Sequence, residues 1–435
     1  MQATSDFSNL TADLSRRFQQ VRQQTERLVQ PLSAEDCQLQ SMPDASPAKW
    51  HLAHVTWFLE TFVLERFEAD FTPFDGHFRV LFNSYYNGIG DKHPRAQRGL
   101  ISRPTLQEVM AYRAQVDARV LQLLKKTLGQ RIQSDLAPLI TLGLHHEQQH
   151  QELLLTDIKH ALFANPQQPA YMAPRPHGVV QLQPERWYPY TGGLVSHGFD
   201  AKLDGEFAFD NETPSHRVFI APFELASRPV SNGAMMAFMA DGGYLRPELW
   251  LSMGWDWVTA SARRLPLYWQ GSAGEYRHFT LQGLQAVDPD APACHLSYFE
   301  ADALARWADA RLPTEFEWEL AARALPSQTQ PPANLADMQA YQPLPQAHGD
   351  SDGGAPAQLY GDVWEWTQSN YNPYPGYTAW EGVVGEYNGK FMCNQLVLRG
   401  GSCATPRGHV RARYRNFFPP QAQWQFSGVR LARNA

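Results

Sequence analysis

The sequence predicts a two-domain α+β protein, in which a bundle of helices precedes a domain with much irregular structure. Three observations support this fold class. Apolar residues recur every three or four positions in the first third of the chain, which is the period of amphipathic helices. A proline-punctuated stretch follows Ala164, and beyond it glycine, proline and aromatic residues are scattered among short strand-like pieces. At 435 residues the chain also exceeds one usual domain.

The first domain is predicted to be a four-helix bundle that spans residues 1–164. Its first helix carries one apolar stripe, formed by Phe7, Leu10, Leu14, Phe18, Val21, Thr25 and Leu28. A second helix is expected after Ser46, with Ser46 as its N-cap and Pro47 in the first helical position. The third and fourth helices are expected near residues 105–128 and 134–164. Four long helices with one extended connection are typical of a bundle.

The second domain is predicted to be of irregular α+β type and to span residues 181–435. Residues 165–180 are punctuated by prolines, and this composition indicates a linker. Only one further helix is clear from the sequence, near residues 298–310. We therefore expect short strands and loops to make up most of this domain.

Composition limits the classes of function. The formal charge is −7 and no long basic run occurs, so nucleic acid is not an expected partner. The four cysteines show no CxxC spacing and do not indicate a disulfide framework. The sequence shows neither a secretory leader at its start nor an apolar run of about 20 residues that could cross a bilayer. We expect a soluble, cytoplasmic protein without a membrane partner, and the sequence does not indicate its oligomeric state.

The sequence offers one strong metal-binding pattern, the run His146-Glu147-Gln148-Gln149-His150 in the predicted fourth helix. His146 and His150 are four residues apart, so their imidazoles project from one helix face and can bind the same ion. Two ligands rarely suffice, and His54 is the best candidate for the third because it shares the apolar stripe of the second helix. His51 is the weaker candidate. Three histidines inside one bundle predict a metal ion.

The same run also matches the His-Glu-x-x-His signature of zinc peptidases. The residues after His150 lack the glycine and third histidine that metzincins require, so we disfavour this interpretation. Gln149 is expected to lie on the ligand side of the helix and to hydrogen-bond a metal-bound molecule. Glu147 should point about 100° away from His146. His145, His160, His77 and His93 are expected to have ordinary surface or loop roles.

Several motifs carry a resemblance to a known family. The histidine run, with the segment Ser46-Pro47-Ala48-Lys49-Trp50-His51-Leu52-Ala53-His54, resembles the DinB-like helical domain of ergothioneine-biosynthetic sulfoxide synthases. The second domain resembles the formylglycine-generating-enzyme (sulfatase-modifying factor) fold, which is C-type-lectin-like. The matching segments are Phe209-Asp210-Asn211-Glu212-Thr213-Pro214, Arg311-Leu312-Pro313-Thr314-Glu315-Phe316-Glu317-Trp318, Gly361-Asp362-Val363-Trp364-Glu365-Trp366 and Leu398-Arg399-Gly400-Gly401-Ser402. The two resemblances together extend over nearly the whole chain.

The resemblance implies an enzyme with nonheme Fe(II) held by His54, His146 and His150. It also implies a reaction that uses O2 to join hercynine (N-trimethylhistidine) to a thiol, forming a carbon–sulfur bond and a sulfoxide. Formylglycine generation is disfavoured, because only Cys403 follows the Gly-Gly-Ser motif and residues 404–414 contain no second cysteine. We therefore expect the second domain to form one wall of the substrate site.

The resemblance also implies roles for other residues. Tyr85 and Tyr86, in the long loop over residues 71–104, resemble the family branch whose catalytic tyrosine lies in the helical domain, and either could serve. Arg95 and Arg98 would bind the carboxylate of the thiol substrate. The hercynine wall would consist of Asn416, which could hydrogen-bond hercynine, and Phe417, Phe418 and Trp424, which could face its quaternary ammonium group.

Four interpretations remain at this point. The first is a sulfoxide synthase that uses cysteine or γ-glutamylcysteine. The second is a selenoneine synthase on the same scaffold, which joins hercynine to a selenosugar; the arginine pair favours the carboxylate-bearing thiol. The third is the zinc peptidase. The fourth is a zinc-stabilised helical module fused to a lectin-like binding domain without enzyme activity.

Overall fold

The computed structural model describes residues 2–126, 135–176, 178, 180, 183–205, 207–325, 333–346 and 355–435. The chain forms two compact units. The first contains Met1–Pro166 and Glu381–Tyr387, and the second contains Gln167–Trp380 and Asn388–Ala435. The short segment Glu381–Tyr387 therefore belongs to the helical unit, although the sequence analysis places it within the second domain.

The first unit is helical. Its helices are α1 (Gln2–Val29), α2 (Ala48–Leu59), α3 (Glu65–Phe67), α4 (Phe78–Leu81), α5 (Leu106–Lys126) and α6 (Ala137–Ala164). A π-helical turn, Glu60–Leu64, joins α2 to α3. Helices α1 and α2 each pack against both α5 and α6. All twelve residues of α2 are buried, as expected of a helix at the centre of a bundle, and this helix carries His54.

The predicted helices are present, with differences at their ends. Pro47 rather than Ser46 is the N-cap of α2. The prediction for Ser46 was wrong because other groups take its polar atoms: its N–H donates to Asp157 at 2.8 Å, and its hydroxyl accepts from Arg98 at 2.9 Å. Two predicted helix ends, Leu128 and Ser134, lie outside the described residues.

The second unit combines several small sheets with short helices. Its strands are β1 (Trp187–Tyr190), β2 (Gly193–His197), β3 (His216–Ile220), β4 (Phe223–Ala226), β5 (Trp269–Gln270), β6 (Arg277–Thr280), β7 (Gly283–Ala286), β8 (Trp364–Asn370), β9 (Leu396–Arg399), β10 (Asn416–Phe418), β11 (Ser427–Gly428) and β12 (Ala432–Asn434). The largest sheet has the order β10-β9-β8-β11, with β10 antiparallel to β9. A core cluster that includes Phe223, Leu225 and Trp318 is fully buried.

The second unit also contains helices that the sequence analysis did not identify. Its helices are α7 (Asn232–Ala240), α8 (Ser252–Ala260), α9 (Tyr298–Trp307) and α10 (Glu315–Arg323), and α11 (Glu386–Gly389) begins in the first unit. Only α9 was predicted. Helix α10 has a sequence signal that was missed, a capping box in which Thr314 and Glu317 satisfy each other's backbone N–H groups.

The two-domain α+β fold predicted from the sequence is confirmed. Among the described residues, none of the helices has both the length and the apolar character needed to cross a bilayer.

Candidate metal centre

Three histidines meet inside the helical unit. His54 comes from α2, and His146 and His150 come from successive turns of α6. Their ligand atoms all lie within 4.8 Å of one another. The ring centroids are 5.0 Å apart for His54 and His146, 4.8 Å for His54 and His150, and 4.6 Å for His146 and His150. The structure therefore brings together the three histidines singled out from the sequence.

The hydrogen bonds of these rings fit ligation of a metal ion. His54 Nδ1 donates to the carbonyl oxygen of Phe82 at 2.6 Å, which leaves its Nε2 as a lone-pair donor. His146 Nδ1 is buried and has no hydrogen-bond partner among the described residues. A buried, unpaired imidazole nitrogen costs free energy unless something binds it. Three nitrogen donors of this kind suit iron, zinc or copper.

Burial keeps all three rings in the form that binds metals. Burial lowers the pKa of His146 to about 4 and holds the pKa of His54 and His150 well below the usual histidine range. Their closeness lowers it further for His54 and His150, because a charge on one ring disfavours a charge on the next. Each imidazole is therefore neutral at physiological pH and has a lone pair available for a cation.

These shifts predict how the stability of the metal-free protein depends on pH. An unfolded histidine has its pKa near 6.5, whereas His146 in the folded protein has it near 4. Between these values the unfolded chain binds a proton that the folded chain does not, so the free energy of unfolding falls as the pH drops. Each such histidine contributes at most ~1.4 kcal/mol per pH unit. Between pH 7 and pH 5, urea unfolding should show a smaller loss of unfolding free energy for His146→Asn than for the wild type. Equal losses would contradict a lowered pKa of His146 in the folded protein.

Glu147 lies on a different side of α6 and is part of a buried ion cluster. Its carboxylate accepts from Arg22 and from Arg113, each at 2.8 Å, and from the Thr25 hydroxyl at 2.6 Å. Burial alone would raise the pKa of this carboxyl, but the two guanidinium charges and the hydrogen bonds outweigh burial and hold the pKa at about 2. A carboxylate held in this way is not available as the general base of a zinc peptidase.

Two other histidines have partners that the sequence does not reveal. His145 was assigned a surface or loop role, but it is buried in α6 and its Nε2 lies 2.8 Å from Arg17. His51, the weaker ligand candidate, is not one of the three clustered histidines; instead its Nδ1 lies 2.8 Å from Nδ1 of His150. Gln149 is half-buried on α6, next to His150. Its role as a pocket residue stays a prediction.

The two candidate tyrosines occupy different surroundings. Tyr86 is buried, with its ring centroid 5.8 Å from Trp57 and 6.4 Å from Phe58. Trp57 also stacks on His54 at 5.5 Å, and Phe58 lies 4.7 Å from His146. Tyr86 thus packs on the same two aromatic rings that flank the histidines.

Tyr85 is half-buried and is held by polar and aromatic contacts. Its hydroxyl accepts from Arg95 at 2.8 Å, and its ring lies 5.7 Å from Tyr387. Tyr387 belongs to the segment Glu381–Tyr387. The carboxylate of Glu386 in this segment accepts from the backbone N–H groups of residues 87 and 88 at 2.9 and 2.8 Å. The segment therefore fixes the loop that follows the two tyrosines, a long-range contact that the sequence analysis missed.

The two candidate arginines differ in exposure. Arg95 is exposed and donates to Tyr85 and to the carbonyl oxygen of Asp44. Arg98 is buried, and its guanidinium lies 3.4 Å from the ring centroid of Trp50, which stacks on His54 at 4.5 Å. Burial lowers the pKa of Arg98 to about 9, so the group is still charged at neutral pH. Within the described part of the chain, no carboxylate forms an ion pair with it.

The four candidate hercynine residues lie together in the second unit. Asn416, Phe417 and Phe418 form β10, at one edge of the four-stranded sheet, and all four residues are half-buried. The ring of Phe417 stacks on Tyr371 at 4.0 Å, and that of Phe418 lies 6.1 Å from Trp424. The side-chain oxygen of Asn416 accepts from the backbone N–H of Phe417 at 2.9 Å. Their substrate contacts stay a prediction.

Comparisons with known proteins identify both parts of the chain. Residues 17–154 match the DinB superfamily, and residues 190–435 match the sulfatase-modifying factor enzyme 1-like domain. The hercynine oxygenase of Mycolicibacterium smegmatis is 33% identical, and the match covers 94% of this chain and 96% of that protein. The hercynine oxygenase of Mycolicibacterium thermoresistibile is 32% identical, with 97% and 94% covered. Ergothioneine biosynthesis protein 1 of Schizosaccharomyces pombe is 27% identical over 52% of this chain and 28% of its own length. The chain therefore belongs to the hercynine oxygenase family, a family of oxygen-dependent oxidoreductases.

Proposed function

We propose that the protein is a sulfoxide synthase of ergothioneine biosynthesis, which joins hercynine to a thiol with O2. The cluster of three neutral histidines, in a chain of this family, is the observation that carries the proposal. The reaction balances with one O2 for each product. A C–H bond of hercynine and the S–H bond of the thiol are replaced by a C–S bond, sulfur gains one oxygen atom, and the second oxygen atom leaves as water.

The proposed metal is Fe(II), held by His54, His146 and His150. Three neutral nitrogen ligands leave positions open for other molecules, and iron bound there would supply the redox chemistry that O2 requires. The protein's own residues would bind and orient the substrates around this centre. We propose that Gln149, beside His150, hydrogen-bonds a molecule at the open positions.

Arg98 supports a donor that carries a carboxylate. A buried, charged guanidinium is costly unless a partner of opposite charge compensates it. Among the described residues, the Asp157 carboxylate attracts Arg98 but no carboxylate forms an ion pair with it. The guanidinium stacks on Trp50, and this indole ring stacks on His54. A carboxylate bound by Arg98 would therefore place its thiol donor near the histidines. Cysteine and γ-glutamylcysteine carry this group, whereas a selenosugar lacks the amino-acid carboxylate.

The remaining roles are proposed for two sets of residues. A phenol from Tyr85 or Tyr86 would donate a proton to the oxygen derived from O2. Asn416, Phe417, Phe418 and Trp424 would bind hercynine, the aromatic rings by cation–π contact with its quaternary ammonium group. We also propose a helical domain over residues 1–164, a linker over residues 165–180 and a second domain over residues 181–435. A cytoplasmic location stays a prediction.

Product analysis with a panel of donors tests the proposed function. Protein loaded with Fe(II) under anaerobic conditions is mixed with hercynine and then O2, in separate reactions with cysteine, γ-glutamylcysteine and a selenosugar. Mass spectrometry should detect a hercynine sulfoxide with one of the thiols, and Zn(II)-loaded protein is the control. An adduct with the selenosugar alone would overturn the choice of donor. The absence of a hercynine adduct with every donor would overturn the proposed function itself.

A further inference from the structure

His51 contacts one of the clustered histidines without belonging to the cluster. It lies on α2, one turn before His54, and only 2% of its surface is exposed. Its Nδ1 is 2.8 Å from Nδ1 of His150, and its Nε2 is 3.1 Å from a carboxylate oxygen of Asp157. Asp157 lies on α6, two turns beyond His150, and is also buried. Both ring nitrogens of His51 are therefore engaged by groups on the neighbouring helix.

The acceptor-only carboxylate fixes the direction of the hydrogen bond to Asp157, and with His51 neutral it also fixes the direction of the bond to His150. A carboxylate only accepts, so Nε2 of His51 carries the proton and donates to Asp157. In a neutral ring Nδ1 of His51 is then an acceptor, and it receives a hydrogen bond from Nδ1–H of His150. His150 is thereby held in the tautomer whose Nε2 has a free lone pair. This is the nitrogen that remains to bind a metal ion.

The same carboxylate oxygen accepts a second hydrogen bond. The oxygen of Asp157 that faces His51 also accepts from the backbone N–H of Ser46 at 2.8 Å, and the hydroxyl of Ser46 accepts from Arg98 at 2.9 Å. These buried bonds join the end of the loop before α2 to the C-terminal half of α6. Asp157 is thus held in place by backbone structure and can hold His51 in turn.

We infer that His51 and Asp157 are positioning residues that fix the tautomer and the ring orientation of His150 for metal binding. The inference rests on the proposed metal centre of His54, His146 and His150. Metal-bound histidines commonly donate their second ring nitrogen to a neighbouring acceptor, and loss of that acceptor typically weakens metal binding 10- to 100-fold. Here a second histidine is the acceptor and a carboxylate orients it.

Titration of the metal-free protein with Co(II), followed by its visible absorption, tests this inference without any use of activity. We expect His51→Phe, which keeps the ring volume and loses both hydrogen bonds, to bind Co(II) roughly 10- to 100-fold more weakly than the wild type. In His51→Asn the side-chain oxygen can still accept from His150. The Co(II) affinity of this variant should therefore lie between those of the wild type and His51→Phe. His77→Ala is the control, because this exposed histidine of the helical unit contacts Asp75 instead.

Two further variants separate positioning from folding. Asp157→Asn should weaken binding less than His51→Phe does, and the double variant should bind no more weakly than His51→Phe alone, since Asp157 acts through His51. Thermal unfolding of each metal-free variant measures its structural cost separately. Co(II) affinity and absorption of His51→Phe within twofold of the wild type would overturn the inference. If the wild-type protein itself failed to bind Co(II), the proposed metal centre would be overturned as well. Failure of the inference alone and failure of the metal centre can therefore be told apart.

Discussion

Replacement of His150 by alanine should abolish metal binding and, with it, turnover. The change removes one of the three proposed nitrogen ligands, and it also removes the ring that lies 2.8 Å from Nδ1 of His51. Since loss of a supporting residue alone typically costs 10- to 100-fold in metal affinity, loss of a ligand should cost at least ~100-fold. The metal content of protein loaded anaerobically and then desalted measures this directly.

The matched control for this variant is His160→Ala, on the same helix. It should retain one equivalent of metal, because the His160 ring contacts Ser41 rather than the cluster. The metal-free His150→Ala protein should remain folded, because the change removes a polar ring and leaves the apolar core of the helical unit intact. Retention of a full equivalent of metal by His150→Ala would show that the three histidines are not the ligands.

The second large effect is expected from removal of a single phenol oxygen. Tyr85→Phe and Tyr86→Phe should both keep the bound metal, since neither tyrosine belongs to the histidine cluster. One of the two should slow turnover by roughly 10²- to 10⁴-fold, the usual contribution of a positioned proton donor, or change the product formed. Metal content, turnover and product composition of the two variants identify the catalytic residue.

The surroundings of the tyrosines provide the controls for this comparison. The Tyr85→Phe variant loses the hydrogen bond that Arg95 donates to the Tyr85 hydroxyl. If this loss weakens thiol binding by Arg95, the KM for the thiol should rise. Arg95→Gln tests that contribution separately. Tyr86 packs against Trp57 and Phe58, and its phenylalanine variant should retain that packing. If neither phenylalanine variant altered rate or product, the assignment of the phenol to this loop would be wrong.

The histidine cluster was predictable because its signals are local. A separation of four residues on a helix places two imidazoles on one face, and an apolar stripe around His54 indicates that this residue points into the bundle. The peptidase signature alone does not show that the Glu147 carboxylate is paired with Arg22 and Arg113, since these partners are distant in sequence. The contacts of His51 with His150 and Asp157 escaped prediction for the same reason, because these two residues lie on another helix.

The second domain was less predictable because short elements carry weak periodic signals. Helices α7, α8 and α10 have nine residues each, too few for a clear repeat of apolar positions. The N-termini of α7 and α10 are marked instead by the capping side chains of Ser231 and Thr314. The segment Glu381–Tyr387 could not be assigned to the helical unit from sequence, since its contact with the loop near Tyr85 spans about 300 residues of chain.

Oxygen uptake by metal-loaded protein would show whether the protein couples the consumption of O2 to sulfoxide formation. Anaerobic protein carrying Fe(II) is mixed with hercynine and cysteine or γ-glutamylcysteine, and O2 consumption is recorded against the sulfoxide formed; Zn(II)-loaded protein and omission of hercynine are the controls. The account predicts one O2 consumed for each sulfoxide, with no uptake when Zn(II) replaces iron or hercynine is left out. Equal product formation by the Zn(II) protein, or a lack of hercynine-dependent uptake by the Fe(II) protein, would contradict it.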